Sequence, residues 1–244
     1  MRINLKLFYL LLALLFTAAT ASAIPGRAEV KKVVGKATVT NAKNATSSIT
    51  EGMVLGTGDT ITTGAGSYVD LFLGLNGDFL RVDADSTLKI DNLDIGNVSQ
   101  RTVTTQLDVQ KGQIVGNVVA KLNAASKYEI KTASGVAGIR GTKYMVKRDA
   151  SRNVTRIVCT EGTVTFIDRG VTITIGANQA YTPPATAPSQ AAVGAPTQAE
   201  VTIVTTTANS LGSGGGSTDT TTGTVVSNPT DTSTSAVSYT HLTL

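Results

Sequence analysis

Few side chains in this sequence can transfer a proton near neutral pH or act as an activated nucleophile. The single histidine is His241, close to the last residue, and the single cysteine, Cys159, ends the apolar run Ile157-Val158-Cys159. A free cysteine among apolar residues is typically buried and unreactive. No Gly-x-Ser-x-Gly motif, no paired metal-binding histidines and no phosphate-binding glycine loop occur. The sequence therefore predicts a protein that is not an enzyme and that has no cofactor.

Carboxylates are the remaining candidates for chemistry, and five aspartates are concentrated in one stretch. Their spacing departs from that of a twelve-residue calcium loop, and the alternation from Arg81 to Asp85 is typical of the exposed face of a strand. We favour the strand over a calcium site. A carbohydrate-active enzyme is a weaker alternative, because paired carboxylates are set by the fold, but the chain has no tryptophan for a sugar-binding cleft. The five residues are Asp78, Asp83, Asp85, Asp91 and Asp94.

Residues 1–23 have the pattern of a secretory signal peptide. Two basic residues precede an apolar run from Leu7 to Ala19, which is shorter than the ~20 residues that a membrane-spanning helix needs. Ala21 and Ala23 place small side chains where a signal peptidase requires them. We expect cleavage after Ala23 and a protein that is exported to the periplasm, the cell surface or the medium.

The charge of the chain argues against nucleic acid as a partner. The formal net charge is +4, and it falls to +2 when Arg2 and Lys6 leave with the signal peptide. The basic residues are scattered and have no series of aromatic residues beside them, unlike a nucleic-acid interface. No later stretch is long and apolar enough to suggest a membrane span in the mature chain. With one cysteine, the fold has no internal disulfide and depends on its core.

Short β-branched runs, separated by Gly, Asn and Asp, extend from Val30 to Tyr181. Strands at spacings of about 8–12 residues, each closed by a turn signal, indicate an all-β domain of the sandwich, roll or solenoid-like kind. About 150 residues are enough to bury one core. We therefore predict a single β domain over residues 24–181, in which Asn76-Gly77 forms a two-residue type I′ hairpin turn.

The composition changes at Thr182 to Pro, Ala, Thr, Ser and Gly. A segment of this kind buries too little apolar surface to offset the entropy of ordering, so residues 182–244 are predicted to be a flexible low-complexity tail. The apolar run Val201–Val204 leaves an added edge strand as an alternative. The last residues, Val237–Leu244, differ in composition from the rest of the tail, and we interpret them as translated sequencing-adaptor read-through.

Two groups of residues form a colinear pattern between Val30 and Tyr181. A Gly-Asp and a Thr-Gly occur near its start, and an Arg-Gly-Thr and a Glu-Gly near its end. They are Gly58, Asp59, Thr63, Gly64, Arg140, Gly141, Thr142, Glu161 and Gly162. The pattern resembles the FecR domain family. Ala133, where the family usually has proline, and Asn76-Gly77-Asp78, where it usually has Asp-Gly-Ser, depart from it.

Each motif has a functional and a structural interpretation. Arg140 is a candidate ligand contact, whereas Gly141 supplies a backbone geometry that residues with a Cβ avoid between strands. Asp59 is a candidate catalytic carboxylate, but an aspartate in a turn more often accepts hydrogen bonds from nearby backbone. We favour the structural interpretation for both.

The resemblance implies the outer domain of a regulator. FecR proteins in the strict sense are single-pass membrane proteins whose cytoplasmic segment handles a sigma factor. Here the signal peptide stands in the place of that segment, so we do not transfer anti-sigma activity. We expect an exported domain that binds an envelope protein or glycan; the alternative is a structural or surface-display spacer whose C-terminal anchor is missing. Loops on a rigid sheet usually carry recognition, and the candidates are Asn41–Thr50, Asn92–Arg101 and Lys147–Asn153.

Overall fold

The computed structural model describes residues 24–100, 102–119 and 122–212. These residues form fifteen strands, one 3₁₀ turn and one α-helix. The predicted signal peptide and the chain beyond Gly212 lie outside the described residues. The elements are β1 (Ile24–Pro25), β2 (Ala28–Val34), β3 (Ala37–Thr40), β4 (Thr46–Ser48), β5 (Val54–Leu55), β6 (Thr60–Thr63), β7 (Tyr68–Gly74), β8 (Asp78–Val82), β9 (Thr87–Asn97), β10 (Thr102–Asn117), β11 (Lys127–Thr132), β12 (Gly135–Asp149), β13 (Val154–Asp168), β14 (Val171–Ile175), β15 (Gln179–Tyr181), the 3₁₀ turn Gln190–Ala192 and α1 (Gln198–Gly212).

The strands belong to one sheet, which confirms the all-β prediction. The main path runs β14-β13-β12-β11-β10-β8-β7-β2-β5, and a branch through β9, β6, β3 and β4 leaves from β10. Most neighbours are antiparallel, whereas β11 runs parallel to β10. Periodicity alone could not establish this order, because pairing between distant strands depends on the whole chain.

Strand β10 changes partners halfway along its length. Up to Lys111 it pairs with β9 and β11, and from Gly112 onward it pairs with β8 and β12. Gly112 has a φ of 85°, and a Cβ added there would lie 2.1 Å from Ser86 Oγ. Glycine therefore meets both requirements of this position, the left-handed backbone and the close approach of the neighbouring turn.

The main core is one continuous cluster of side chains from almost every strand. In β10 alternate residues are buried, among them Val103, Leu107 and Val109. Tyr128 and Tyr144 belong to this cluster, and their hydroxyls lie 2.9 Å apart. Burying each large apolar side chain stabilises the fold by about 1.5–3 kcal/mol. This cluster holds the described part of the chain without a disulfide.

The β7–β8 hairpin differs from the predicted type I′ turn. That turn needs a positive φ at both central residues, Asn76 and Gly77. Here the positive φ values belong to Gly74, at 56°, and Gly77, at 132°, and the φ of Asn76 is not positive. The loop contains three residues, and Asn76 is buried. Its Nδ2 donates to the carbonyls of Asp94 and Thr104, at 3.0 and 3.1 Å. The Asn76 side chain thus links the hairpin to strands β9 and β10 through hydrogen bonds.

The chain after Tyr181 also differs from the prediction, because residues 182–212 pack on the domain. Gly194 exchanges two backbone hydrogen bonds with Ala180. The side-chain amide of Gln190 accepts from Thr174 N–H and donates to Thr174 C=O, at 2.8 and 2.7 Å. Residues 182–212 belong to the same compact unit as the sheet. The alternative of an edge strand at Val201–Val204 is wrong, since these residues lie in α1.

Helix α1 covers a second, smaller apolar cluster on the outer face of the sheet. Val204 of the helix packs with Val115, Met145, Val158 and Ala180. The helix begins with a capping box, in which Thr197 N–H donates to Glu200 Oε2 at 2.8 Å and Glu200 N–H to Thr197 Oγ1 at 3.3 Å. In the sequence, this Thr-x-x-Glu pattern is the feature that indicates a helix at this point. No helix in the described ranges is long and apolar enough to cross a membrane.

Acid should loosen α1 before it unfolds the sheet. Arg156 holds Glu200 through two hydrogen bonds, of 2.9 and 3.0 Å, and lowers the pKa of Glu200 from 4.5 to about 2. Because the folded pKa is the lower one, the contribution to stability is complete above pH 4.5 and is lost as the pH falls toward 2. After allowance for solvent screening, we expect this contribution to the free energy of unfolding to be about 1 kcal/mol.

Hydrogen exchange of the α1 amides between pH 5 and pH 2.5, corrected for the intrinsic exchange rate, measures this loss. The variant Glu200→Gln should show reduced α1 protection at pH 5 and a much weaker pH dependence. Equal pH dependence in the variant and the parent would contradict the assignment to Glu200.

Candidate functional site

The second group of motif residues forms a paired bend in the hairpin β12–β13. Gly141 and Gly162 have φ of 62° and 78° and lie opposite each other, where the register between the two strands shifts. A Cβ on Gly162 would lie 2.1 Å from the Gly141 carbonyl oxygen. Thr142 is buried, and its hydroxyl donates to the Thr163 carbonyl at 3.2 Å. Before the bend β12 pairs with β11, and after it β12 pairs with β10.

The charged residues of this bend point to solvent. Arg140 is exposed, and the carboxylate of Glu161 pairs with Lys143 Nζ at 2.9 Å while its side chain is 65% exposed. An exposed pair of this kind contributes little to stability. The geometry therefore gives the Arg-Gly-Thr and Glu-Gly residues a backbone role.

The first group of motif residues closes the turns on either side of β6. Asp59 Oδ2 accepts from Gly56 N–H at 2.8 Å, and the Asp59 carbonyl accepts from Ile90 N–H at 2.8 Å. Thr63 Oγ1 accepts from Ser86 N–H at 3.0 Å and donates to the Asp83 carbonyl. Gly64 N–H donates to the Lys36 carbonyl at 2.9 Å. Gly58 has a φ of 93°. The Asp59 carboxylate is therefore engaged with the backbone of its own turn and is not free in a cleft.

Cys159 is buried, as predicted, and burial raises the pKa of its thiol to about 11. Of the acidic stretch, Asp91 pairs with Lys89 and Lys131 at 3.0 and 2.8 Å, and Asp85 is exposed in a turn with a φ of 53°. Among the described residues, no group of three His, Cys, Asp or Glu side chains is placed to hold a metal ion.

A cleft of about 560 Å³ opens at the point where β10 changes partners. The turn before β7, the turn after β8, the centre of β10 and the end of β12 form its walls. It is lined by Gly66, Ser67, Tyr68, Asp83, Ala84, Asp85, Lys111, Gly112, Gln113, Lys147, Arg148, Asp149, Ala150 and Ser151. We call it the β10 cleft.

One wall of the β10 cleft is held rigid by a charged stack. Arg81 makes two hydrogen bonds to Asp70, of 2.6 and 2.7 Å, and its guanidinium lies 4.0 Å from the ring centre of Tyr68. Asp83 accepts from Gln113 Nε2 at 2.7 Å, and burial raises the pKa of its carboxyl. The stack fixes the Tyr68 ring at the edge of the cleft.

The opposite wall is cationic. Lys111 and Lys147 are exposed, and neither ammonium group has an ion-pair or hydrogen-bond partner among the described residues. Arg148 is only 8% exposed. Its Nη2 donates to Asn153 Oδ1 at 2.9 Å, whereas its Nη1 is buried without a hydrogen-bond partner in the described part of the chain.

The three predicted recognition loops lie in different parts of the structure, and one of them borders the β10 cleft. Lys147–Asn153 contributes Lys147, Arg148 and the turn that follows β12 to the β10 cleft. Asn92–Arg101 is mostly strand β9, and Asn41–Thr50 includes strand β4. Sequence reasoning missed Tyr68, Lys111 and Gln113, because they come from distant strands and no local pattern links them.

The comparison with protein-family models agrees with the motif pattern. The family model of the FecR protein matches residues 59–165. Two crystal structures of a candidate anti-sigma factor from Parabacteroides distasonis are similar to this chain, at 11% identity and a TM-score of 0.46. The similarity covers 59% of this chain and 62% of theirs. No curated protein sequence matches the chain. The matched range contains both motif groups apart from Gly58, and residues 59–165 of this chain form a FecR domain.

Proposed function

We propose that this chain is an exported, non-catalytic FecR-domain protein that binds a macromolecular partner of the cell envelope. The observation that carries the proposal is that the motif residues and the cleft residues have different roles in the domain. The motif residues are engaged in backbone contacts, whereas the predicted loop Lys147–Asn153 borders an open cleft with unpaired cations. Loops held by a rigid sheet are well suited to recognition.

Capture from envelope extracts tests the proposal. We expect the full-length chain, purified after export, to retain a specific partner that the loop variant Lys147→Ala, Ser151→Ala, Arg152→Ala loses. The control carries Lys127→Ala at the exposed start of β11, outside the three predicted recognition loops, and it should bind like the parent. Equal capture by all three forms would contradict recognition through this loop.

Turnover assays on the same preparation test the absence of catalysis. Incubation with peptidoglycan fragments and envelope peptides should leave both unchanged by mass spectrometry. Product formation that a single Asp or Glu substitution abolishes would overturn the non-enzyme part of the proposal.

A further inference from the structure

One end of the domain carries exposed aliphatic side chains on several separate segments. Nine large apolar side chains are exposed in the described ranges, and four of them lie at this end. They come from the start of β1, the β7–β8 loop, the β9–β10 loop and the residues after β10. We call them the apolar tips: Ile24, Leu75, Val98 and Val119, with exposed fractions of 51%, 43%, 53% and 70%.

Three of the apolar tips meet at the end of strand β9. Ile24 pairs with Ile95, which is three residues before Val98. Asn76 follows Leu75 directly, and its side chain donates to carbonyls of β9 and β10 one residue further in. At about 3.3 Å per residue, Ile24, Leu75 and Val98 each lie within roughly 15 Å of the end of β9.

Val119 lies at the same end because β10 returns to it after changing partners. Asn117, the last residue of β10, pairs with Phe79, near the start of the strand that follows the β7–β8 loop. Beyond Val119, the connection to β11 contacts the β9–β10 loop, where Asn123 Nδ2 donates to the Gln100 carbonyl at 2.8 Å. The four segments are thus neighbours in space although they are distant in sequence.

The loop Lys147–Asn153 lies at the other end of the domain. It follows the pair between Arg148 and Gly112, and Gly112 is the point where β10 changes partners, midway between its two ends. Val154 and Val171 are also exposed, but Val154 pairs with Asp149 beside this loop and Val171 begins β14. These two valines serve below as controls for the apolar tips.

The segment that precedes Ile24 indicates what the apolar tips contact. The predicted signal peptide, residues 1–23, contains the apolar run from Leu7 to Ala19 and ends directly before Ile24. Because a signal peptide enters the bilayer during export, it brings this end of the domain next to lipid. Apolar groups that leave water for the headgroup and acyl boundary are stabilised in proportion to the area that they bury.

We infer that the apolar tips insert into the surface of a lipid bilayer. This inference goes beyond the proposed function, because it adds a lipid surface to the macromolecular partner. A domain that rests on its apolar tips presents the loop Lys147–Asn153 away from the bilayer, where a partner can reach it. The two surfaces are therefore compatible with each other.

Partitioning onto vesicles tests the inference with the chain that begins at Ile24, which keeps every described contact. We expect it to sediment with sucrose-loaded phosphatidylcholine vesicles at millimolar lipid, and equally well at low and high salt, since apolar contacts are not screened. The double variant Val98→Ser, Val119→Ser should partition about tenfold more weakly.

The control variant Val154→Ser, Val171→Ser makes the same chemical change away from the apolar tips. It should change partitioning less than twofold, and thermal melting of both variants checks their fold. Failure of the parent to sediment with vesicles, or equal losses in the two double variants, would overturn the inference.

A probe at one position tests insertion directly. Val98→Cys and Val154→Cys are labelled separately with the environment-sensitive dye NBD. Native Cys159 is buried, and burial raises the pKa of its thiol to about 11, so it should react much more slowly. Emission from the dye at Val98→Cys should shift to shorter wavelength with vesicles and be quenched by doxyl lipid. The same response at Val154→Cys, or none at Val98→Cys, would contradict insertion.

Other occupants of the apolar tips give different results. If the chain dimerises without lipid and Val98→Ser, Val119→Ser is monomeric in sedimentation velocity, a second copy covers the tips and the lipid assignment is overturned. If vesicles do not bind but envelope capture is lost in this variant, a protein covers them, with the same consequence. If vesicles do not bind and capture through Lys147–Asn153 persists, the inference fails while the proposed function stands.

Discussion

Replacing Gly162 with alanine is expected to lower the free energy of unfolding by about 3 kcal/mol. Two costs add at this position. A φ of 78° strains any residue with a Cβ, by about 1–3 kcal/mol. The Cβ would also lie 2.1 Å from the Gly141 carbonyl oxygen, which belongs to the paired backbone and cannot rotate away. Urea denaturation with an unchanged m-value measures the loss.

Gly170 supplies a matched control for this prediction. Its φ of 84° is similar, but nothing lies within 4 Å of an added Cβ. Gly170→Ala should therefore cost only the strain, about 1 kcal/mol. Equal losses at Gly162 and Gly170 would show that the close approach to Gly141 contributes nothing.

The same bend separates the two interpretations of the Arg-Gly-Thr motif. Gly141→Val should destabilise the domain by about 1–3 kcal/mol, because its φ of 62° disfavours a β-branched side chain. Arg140→Ala removes an exposed side chain and should stay within about 0.5 kcal/mol. A larger loss for Arg140→Ala would make the arginine a functional candidate.

Ending the chain at Thr182 is expected to lower the unfolding free energy by about 3 kcal/mol and the melting temperature by roughly 10 °C. The truncation exposes Val115, Met145 and Val158, which α1 covers. It also removes Glu200 from Arg156 and the Ala208 carbonyl from Asn117, whose buried Nδ2 donates to it at 3.0 Å. Differential scanning calorimetry measures both quantities.

A chain that ends at Gly212 is the control for the truncation, since it keeps every described contact of α1. It should melt within about 2 °C of the full-length chain, because it keeps the apolar cluster under α1 and the Arg156–Glu200 pair. If both truncations melt at the same temperature, residues 182–212 would be the flexible tail that composition predicts.

Asn76 and α1 show why local sequence patterns were insufficient at these points. Asn-Gly between two apolar runs favours a type I′ turn, but Asn76 makes buried hydrogen bonds to Asp94 and Thr104, and these tertiary contacts override the local preference. The run Val201–Val204 is too short to distinguish a strand from a helix by periodicity. The capping box at Thr197 and Glu200 contained the missing information, in side chains that the low-complexity composition obscured.

The sequence by itself determined the properties that depend on local chemistry. Alternation of β-branched residues indicated strands, the apolar surroundings of Cys159 indicated a buried thiol, and the spacing of Gly58, Gly141 and Gly162 indicated the FecR pattern of turns and bends. These follow because each signal lies within a few residues, where backbone sterics and hydrophobic periodicity act directly.

Only the tertiary structure decided where the candidate site lies. Tyr68, Lys111 and Lys147 are far apart in sequence, and they meet because β10 changes partners at Gly112. Their arrangement around the β10 cleft exists only after the strands have paired. The register of the long strands, a property of the whole sheet, thus creates the candidate binding surface.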